Sequence, residues 1–365
     1  MRWIAFAAFA LTLLAQDVKQ VDIPGHAGQS YALFIPGNYS AERRWPILYC
    51  LDPGARGRNA VEHFAAAAEK AGFLVAGSNN SRNGPIAPSL EAIGLMVQDT
   101  HERFALDDAR LYAAGLSGGA RLALAWAATA NSGIAGVVAS SAGFGGETIP
   151  KQIAFRIFMT TGVDDFNHDE LYRLSRELDR RGVAHRYAEF EGGHEWLPAT
   201  LAADAFAFFQ GTLPPQSSRP SKEAGREAAD YERLTAQVQS GDRGALQRLQ
   251  KDAAAGDDSS ARRVARRVIG GIAIGSMENV RELMGRKQYA DAARVAELAV
   301  AVRPENANAW YSLAVAQAAA GNTRRALDSL EQAAAKGFRA WDRAEQEPLL
   351  ARIRRDPRYS RLAGK

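Results

Sequence analysis

A single cysteine, Cys50, in 365 residues excludes any intrachain disulfide and any cysteine-based zinc site. Six histidines leave little material for a histidine-rich metal centre, so no metal site is expected. Apolar runs are short as well. The first one, Trp3–Leu14, falls below the roughly 17–25 residues that a bilayer span needs, and no membrane span is expected. The net charge of +4 is too small to argue for a nucleic-acid partner. With 47% apolar and 24% charged residues, the chain is neither collagen-like nor largely disordered.

The termini and the charge distribution give a first division. Met1-Arg2 is a short positive start, Trp3–Leu14 is apolar, Ala15 is small, and the polar Gln16-Asp17 follows. This is the order of a secretory signal peptide over residues 1–15, although Leu13 is larger than the residue preferred three places before the cut. A secreted or periplasmic protein is expected, and a lone Cys50 fits export because it cannot mispair within its own chain. Residues 17–213 carry 17 Lys/Arg against 22 Asp/Glu, a net of −5, whereas residues 214–365 carry 27 against 19, a net of +8. Two units with separate tasks are expected. The Pro- and Ser-rich stretch 214–221 reads as the linker between them.

Up to residue 213, strand-like and helix-like segments alternate. Val18–Ile23 and Ser30–Ile35 form an opening hairpin. Pro46–Leu51 is a nearly continuous apolar run, as a strand buried on both faces would be. Phe73–Ala76, Arg110–Ala114, Ile134–Ser140, Phe155–Thr160 and His185–Phe190 read as further strands. Helical patterns lie between them, at Ala60–Ala71, Leu90–Phe104, Gly118–Ala130 and Asp169–Arg181, and Leu197–Phe209 closes the unit. Such alternation predicts an α/β fold with a mainly parallel sheet, helices on both faces and an antiparallel edge from the hairpin.

Gly115-Leu116-Ser117-Gly118-Gly119 lies between a strand and a helix. In that context a G-x-S-x-G run is a sharp turn that lifts the serine Oγ above the sheet, with glycines where larger side chains would collide. Ser117 is therefore the expected nucleophile. A serine hydroxyl needs a base, and His194 is chosen over His168 and His185. It follows the strand His185–Phe190 within Glu191-Gly192-Gly193-His194-Glu195-Trp196, where two glycines let a tight loop return over the sheet edge. For the acid, Thr161-Gly162-Val163-Asp164-Asp165 offers two aspartates. Asp165 is preferred, with Asp164 as the alternative. The expected oxyanion donors are the amide of Gly118 and, from the loop Asp52-Pro53-Gly54-Ala55, that of Gly54, with Ala55 second, because Pro53 has no N–H. The polar loop Gly77–Pro85 can bind substrate through residues such as Asn80 and Arg82, or be a hydrogen-bonded surface turn. Trp196 can line the pocket or pack beneath the histidine loop.

These residues carry a resemblance. Residues 18–211 resemble an α/β-hydrolase of the secreted esterase branch that includes polyhydroxybutyrate-depolymerase-like and feruloyl-esterase-like proteins. The matching pieces are Gly115–Gly119, Gly162-x-x-Asp165 and Gly193-His194-Glu195-Trp196. Asp52-Pro53-Gly54 stands where many relatives carry His-Gly. The resemblance implies a catalytic domain over 16–213 that cleaves a carboxylic ester, small or polymer-attached, through an acyl-enzyme, and it implies no cofactor. The short stretch between Ser141 and Phe155 leaves no room for a helical cap. A serine peptidase and a non-catalytic binding protein are the alternatives.

After the linker the strand signals fade. Ser221–Gln239, Arg243–Ala255, Ser259–Val268 and Glu278–Arg286 read as helices, and 222–274 as a helical connector. A 34-residue recurrence matches Ala292 to Ala326 and Ala299 to Ala333. Residues 275–365 resemble a tetratricopeptide-repeat-like domain, which implies a peptide or protein partner.

Overall fold

The computed structural model describes residues 17–145, 149–218 and 222–364. The expected signal peptide lies outside them, as does the last part of the expected linker. Two compact units are present. One comprises the chain through Gly162 together with Glu170–Ser218. The other comprises Val163–Asp169 and the chain from Arg219 onward.

The first unit is built on eight strands: β1 (Lys19–Asp22), β2 (Ser30–Phe34), β3 (Trp45–Leu51), β4 (Leu74–Ser78), β5 (Leu106–Leu116), β6 (Ile134–Ser140), β7 (Arg156–Gly162) and β8 (His185–Phe190). They form one sheet in the order β1-β2-β4-β3-β5-β6-β7-β8. The β1–β2 and β2–β4 pairs are antiparallel, and the pairs from β4 through β8 are parallel. The helices interleaved with these strands are α1 (Gly57–Ala71), α2 (Ile86–Arg103), α3 (Gly118–Ala127), α4 (His168–Arg180) and α5 (Ala199–Phe209).

All seven residues of β3 are buried, and they divide by parity, as side chains on a strand must. Ile47, Tyr49 and Leu51 enter an apolar layer with Met96 of α2, Leu124 of α3 and Leu174 of α4. Leu48 and Cys50 enter the opposite layer, with Phe64 of α1 and Phe206 of α5. Helices on both faces explain why β3 reads as an unbroken apolar run. Each fully buried Leu or Phe contributes roughly 1.5–3 kcal/mol, so these layers fix the strand register that sets out the site. The fold class expected from the sequence, a mainly parallel α/β sheet with helices on both faces and an antiparallel edge, followed by a helical region, is the one observed.

The helical region contains α6 (Lys222–Gln239), α7 (Arg243–Ala253), α8 (Ser260–Gly285), α9 (Tyr289–Val302), α10 (Ala307–Ala319), α11 (Thr323–Ala335), α12 (Trp341–Gln346) and α13 (Pro357–Leu362). Asp242 and Ser259 cap α7 and α8 through side-chain bonds to Ala245 and Arg262 amides. The sequence reads Ser259–Val268 and Glu278–Arg286 as helical, and α8 joins both stretches in one continuous helix. Its paired glycines lie where neighbours come close. A Cβ at Gly271 would stand 2.6 Å from the Tyr231 hydroxyl, and one at Gly270 3.4 Å from Phe166. Tertiary packing outweighs a propensity cost of about 1 kcal/mol per glycine.

Candidate active site

The sheet order places a crossover beside β3, because β4 lies on one side of it and β5 on the other. Crevices at the carboxyl ends of strands next to such a reversal are where open α/β sheets bind ligands. The segments that leave β3, β4 and β5 there are Asp52–Arg56, Asn79–Pro85 and Ser117.

Ser117 sits between the end of β5 and the first residue of α3, at φ 54 and ψ −121. A left-handed φ on a non-glycine residue costs about 1–3 kcal/mol and persists only where surroundings impose it. Here the main chain does so. Ser117 N–H donates to Ser140 O at 2.9 Å, extending the β5–β6 ladder past its last pair. A Cβ at Gly115 would stand 2.1 Å from Gly119 O, and a Cβ at Gly119 2.0 Å from Leu51 O. Strand, turn and helix thus meet backbone to backbone, and only glycine fits at either position.

The segment after β8 is held over the sheet in a similar way. A Cβ at Gly162, the last residue of β7, would stand 2.4 Å from both Gly192 O and Gly193 O. Ser141, which follows β6, donates its hydroxyl to Glu195 O at 3.1 Å. The chain around His194 therefore turns back from β8 across the ends of β7 and β6, toward β5. This is the course expected from its two glycines.

Asp164 and Asp165 have different surroundings. Asp164 accepts from Arg266 Nη1 at 2.8 Å and lies 3.7 Å from Arg262. Asp165 is fully buried at 0% exposure, and its Oδ1 accepts from the Asn167 amide at 2.8 Å. His168 is buried beside Asp169, with 3.4 Å between Nδ1 and Oδ1. His185 is also buried, between the Ser175 hydroxyl and Val183 O.

The loop after β3 departs most from expectation. The Asp52 carboxylate is buried and accepts from Gly54 N–H and Arg56 Nε at 2.8 Å each, and from Trp196 Nε1 at 3.0 Å. Burial pushes this carboxyl up, but bonds from Arg56, Trp196 and Gly54 outweigh it and hold the group below its ordinary value. The Gly54 amide is thus already engaged, and the Ala55 amide donates to Asp52 O at 3.1 Å. Neither is left to meet an oxyanion in this arrangement. The sequence hides this because Asp52 is read there as the residue before Pro53, not as an acceptor for its own loop.

Trp196 is only 4% exposed and packs against His63 and Phe64 of α1. Of its two expected roles, its surroundings describe packing beneath the histidine loop. Burial also lowers the pKa of His63. Asn80 spends its side chain on the hairpin, accepting from Ser30 N–H at 2.9 Å and donating to Gly28 O at 2.8 Å. Arg82 is exposed, and its main chain bonds with the Ser89 hydroxyl.

Sequence reasoning passed over Asn83 in the same loop. Its N–H donates to Pro53 O at 2.9 Å, and Gly54 and Arg82 form an antiparallel bridge alongside. These contacts bring its side chain onto Gly118, where a Cβ would stand 1.9 Å from Asn83 Oδ1 and 3.2 Å from Nδ2. Its only signal in the sequence was membership of the polar run Asn79–Asn83. No cluster of metal-ligating side chains occurs among the described residues, and no described helix is long and apolar enough to cross a membrane.

No family model matches the sequence, and neither does any curated protein. Among solved structures, similar ones include a hyperthermophilic esterase from the archaeon Pyrobaculum calidifontis. It shares 15% identity at a TM-score of 0.43, over 54% of this chain and 86% of that one. A fluorophosphonate-binding serine hydrolase, FphF of Staphylococcus aureus, shares 13% identity at a TM-score of 0.43, over 53% of this chain and 98% of that one. A ferulic acid esterase shares 16% identity at a TM-score of 0.45, over 54% of this chain and 99% of that one. At such low identity the functional reading has to come from the residues of the site.

Proposed function

We propose that the protein is a serine hydrolase that cleaves a carboxylic ester through an acyl-enzyme intermediate. The carrying observation is Ser117, held at a left-handed φ on the β5–α3 turn by glycines that the neighbouring backbone makes obligatory. In this reading Ser117 Oγ attacks the ester carbonyl, and His194 takes the hydroxyl proton and returns it to the leaving alcohol. Asp165 holds one imidazole tautomer and stabilises the imidazolium. Water then repeats the sequence on the acyl-enzyme and releases the acid. The return of the histidine segment across β7 and β6 supports His194 as base. The engagement of Asp164 with Arg266 supports Asp165 as the acid.

The developing oxyanion is met by the Gly118 amide at the start of α3. With the Gly54 amide bonded to Asp52, the side-chain amide of Asn83 is the second donor in this proposal. Each such donor is worth roughly 3–4 kcal/mol at the transition state. Arg82, exposed on the same loop, gives the rim a positive charge.

For the helical region, burial of Ala292, Ala299, Ala326 and Ala333 at one 34-residue spacing supports a tetratricopeptide-like pairing of α8 to α11, with a peptide or protein as partner. Export through the N-terminal segment remains part of the proposal.

Turnover of short p-nitrophenyl esters by the full chain tests the catalytic reading, with the matching anilides as an amide control. Ester turnover that disappears in Ser117→Ala supports it. Equal turnover by the wild type and this variant contradicts it, and preferential cleavage of the anilides favours a peptidase.

A further inference from the structure

The segment Val163–Asp169 follows β7 in the chain yet belongs to the second compact unit, together with the helical region. Its partners there are unusual. Arg267 of α8, only 1% exposed, donates from Nε to Val163 O at 2.7 Å and from Nη1 to Glu227 at 2.8 Å, and it lies 3.6 Å from Asp169. From the preceding residue, Arg266 donates to Asp164 at 2.8 Å, and one turn earlier Arg262 lies 3.7 Å from the same carboxylate. Phe166 lies against Gly270, where a Cβ would stand 3.4 Å from it. Residues 163, 164 and 166 are therefore each tied to one helix, and Asp165 stands among them.

Burying a guanidinium costs several kcal/mol unless it is fully paired. Arg267 meets that cost with Glu227, itself buried and also bonded by Arg263 at 2.7 Å. The arrangement uses a buried cation to grip a main-chain carbonyl, not to neutralise a surface charge. A carbonyl bond at one side of a residue and an aromatic anchor at the other leave its backbone little freedom to rotate.

We propose that α8, through Arg267 and Arg266, is a positioning element for the triad acid, so that turnover depends on a helix that contributes no reacting group. This inference rests on the reading of Asp165 as the acid. Arg267 and Arg266 are positioning residues, acting on the substrate only through Asp165. The effect expected of them is one of placement, where misplacement by about 1 Å can cost on the order of 100-fold in rate.

The test is a double-mutant cycle on the full chain with a p-nitrophenyl ester. Three variants are compared, each alone and combined with Asp165→Asn: Arg267→Met, Arg266→Met, and the paired Arg267→Met/Glu227→Gln, which removes both buried charges together. Thermal unfolding verifies that each is folded. The half-exposed Arg266 keeps the test informative if the Arg267 variants do not fold. The expected result is a kcat lowered about 10- to 100-fold in the Arg267 variants and less in Arg266→Met, with KM changed under about threefold. Added to Asp165→Asn, the same substitutions should cost almost nothing further, because their target is already gone. A general loosening of the protein would instead multiply the two losses. Folded arginine variants with wild-type kcat, or losses that multiply in the Asp165→Asn background, overturn the positioning role while leaving the triad intact. Wild-type kcat in Asp165→Asn alone overturns the choice of acid, and this inference with it.

Discussion

The proposed nucleophile and the proposed acid are held in place by different kinds of matter. Around Ser117 the restraint is main chain throughout: a ladder bond to Ser140 and carbonyls of Leu51 and Gly119 pressed where glycines leave room. Around Asp165 side chains join the main-chain bonds from Asn167 and His168: arginine bonds from α8 to Asp164 and Val163, reached across 102 and 104 residues of sequence, and an aromatic contact at Phe166. A backbone restraint is inherited from the sheet and survives most substitutions at its edges. A side-chain restraint can be removed by one substitution. The difference teaches that the placement of Ser117 is a local property of a turn, whereas the placement of the segment around Asp165 is a long-range property of the chain.

The largest effects should come from the reacting groups, where the comparison can be broken outright. Ser117→Ala should lower kcat by at least about 10⁴-fold without changing thermal stability, as read by ester turnover and calorimetry. Asp165→Asn should approach the same loss, about 10⁴-fold, through the wrong imidazole tautomer. Asp164→Asn should cost under about tenfold, since its bond to Arg266 has a purely supporting part. The reverse ranking of the two aspartates would transfer the acid role to Asp164 and undo the contrast between the segments.

A middle-sized effect sharpens the account of the backbone-held side. Asn83→Ala should lower kcat about 100- to 1000-fold with little change in KM, because an oxyanion donor acts mainly in the transition state. An unchanged kcat would return the second donor to the loop after β3, and the Asp52–Gly54 bond would have to open during turnover.

Smallest in activity is the prediction for Asp52, which is chiefly one of stability. Its carboxylate accepts charge-assisted bonds, each worth about 1.5–3 kcal/mol when buried, so Asp52→Ala should lower the unfolding free energy by about 2–3 kcal/mol near neutral pH. Because its folded pKa is depressed, this contribution is present above the ordinary carboxylate value of about 4 and is lost as pH falls through the lower folded value. Denaturant unfolding of wild type and variant should therefore converge in strong acid. A constant gap across pH would mean that packing around Trp196, not charge, carries the effect.

How much of this was legible in the sequence follows the same division. The strand–turn–helix at Ser117 announces itself because glycine is forced at fixed offsets within five residues. The histidine segment is legible for a related reason, since Gly192-Gly193 marks a tight return. Pro46–Leu51 identifies a strand covered on both faces by its unbroken apolar run. The arginines of α8 are visible only as a basic cluster, because their partners lie a hundred residues earlier and no periodicity links them. The stretch that joins the two helical segments of α8 stays unassigned in the sequence, because Gly270 and Gly271 carry no apolar periodicity and their close neighbours are known only from the fold. Likewise Gly54 looked available because the demand of Asp52 on its amide is a matter of rotamer, which composition does not encode. Asn80, Arg82 and Asn83 share one polar loop that the sequence does not rank, and the bond from Asn83 to Pro53 turns the Asn83 side chain onto Gly118.

The central claim is that Ser117 is a nucleophile activated by its own chain. Incubation of the full chain with a fluorophosphonate, followed by peptide mass spectrometry, tests it most directly. The account predicts one stoichiometric adduct, on Ser117, that forms slowly or not at all in His194→Ala. Absence of labelling in the folded wild type, or an adduct on another serine with Ser117 unmodified, would contradict it.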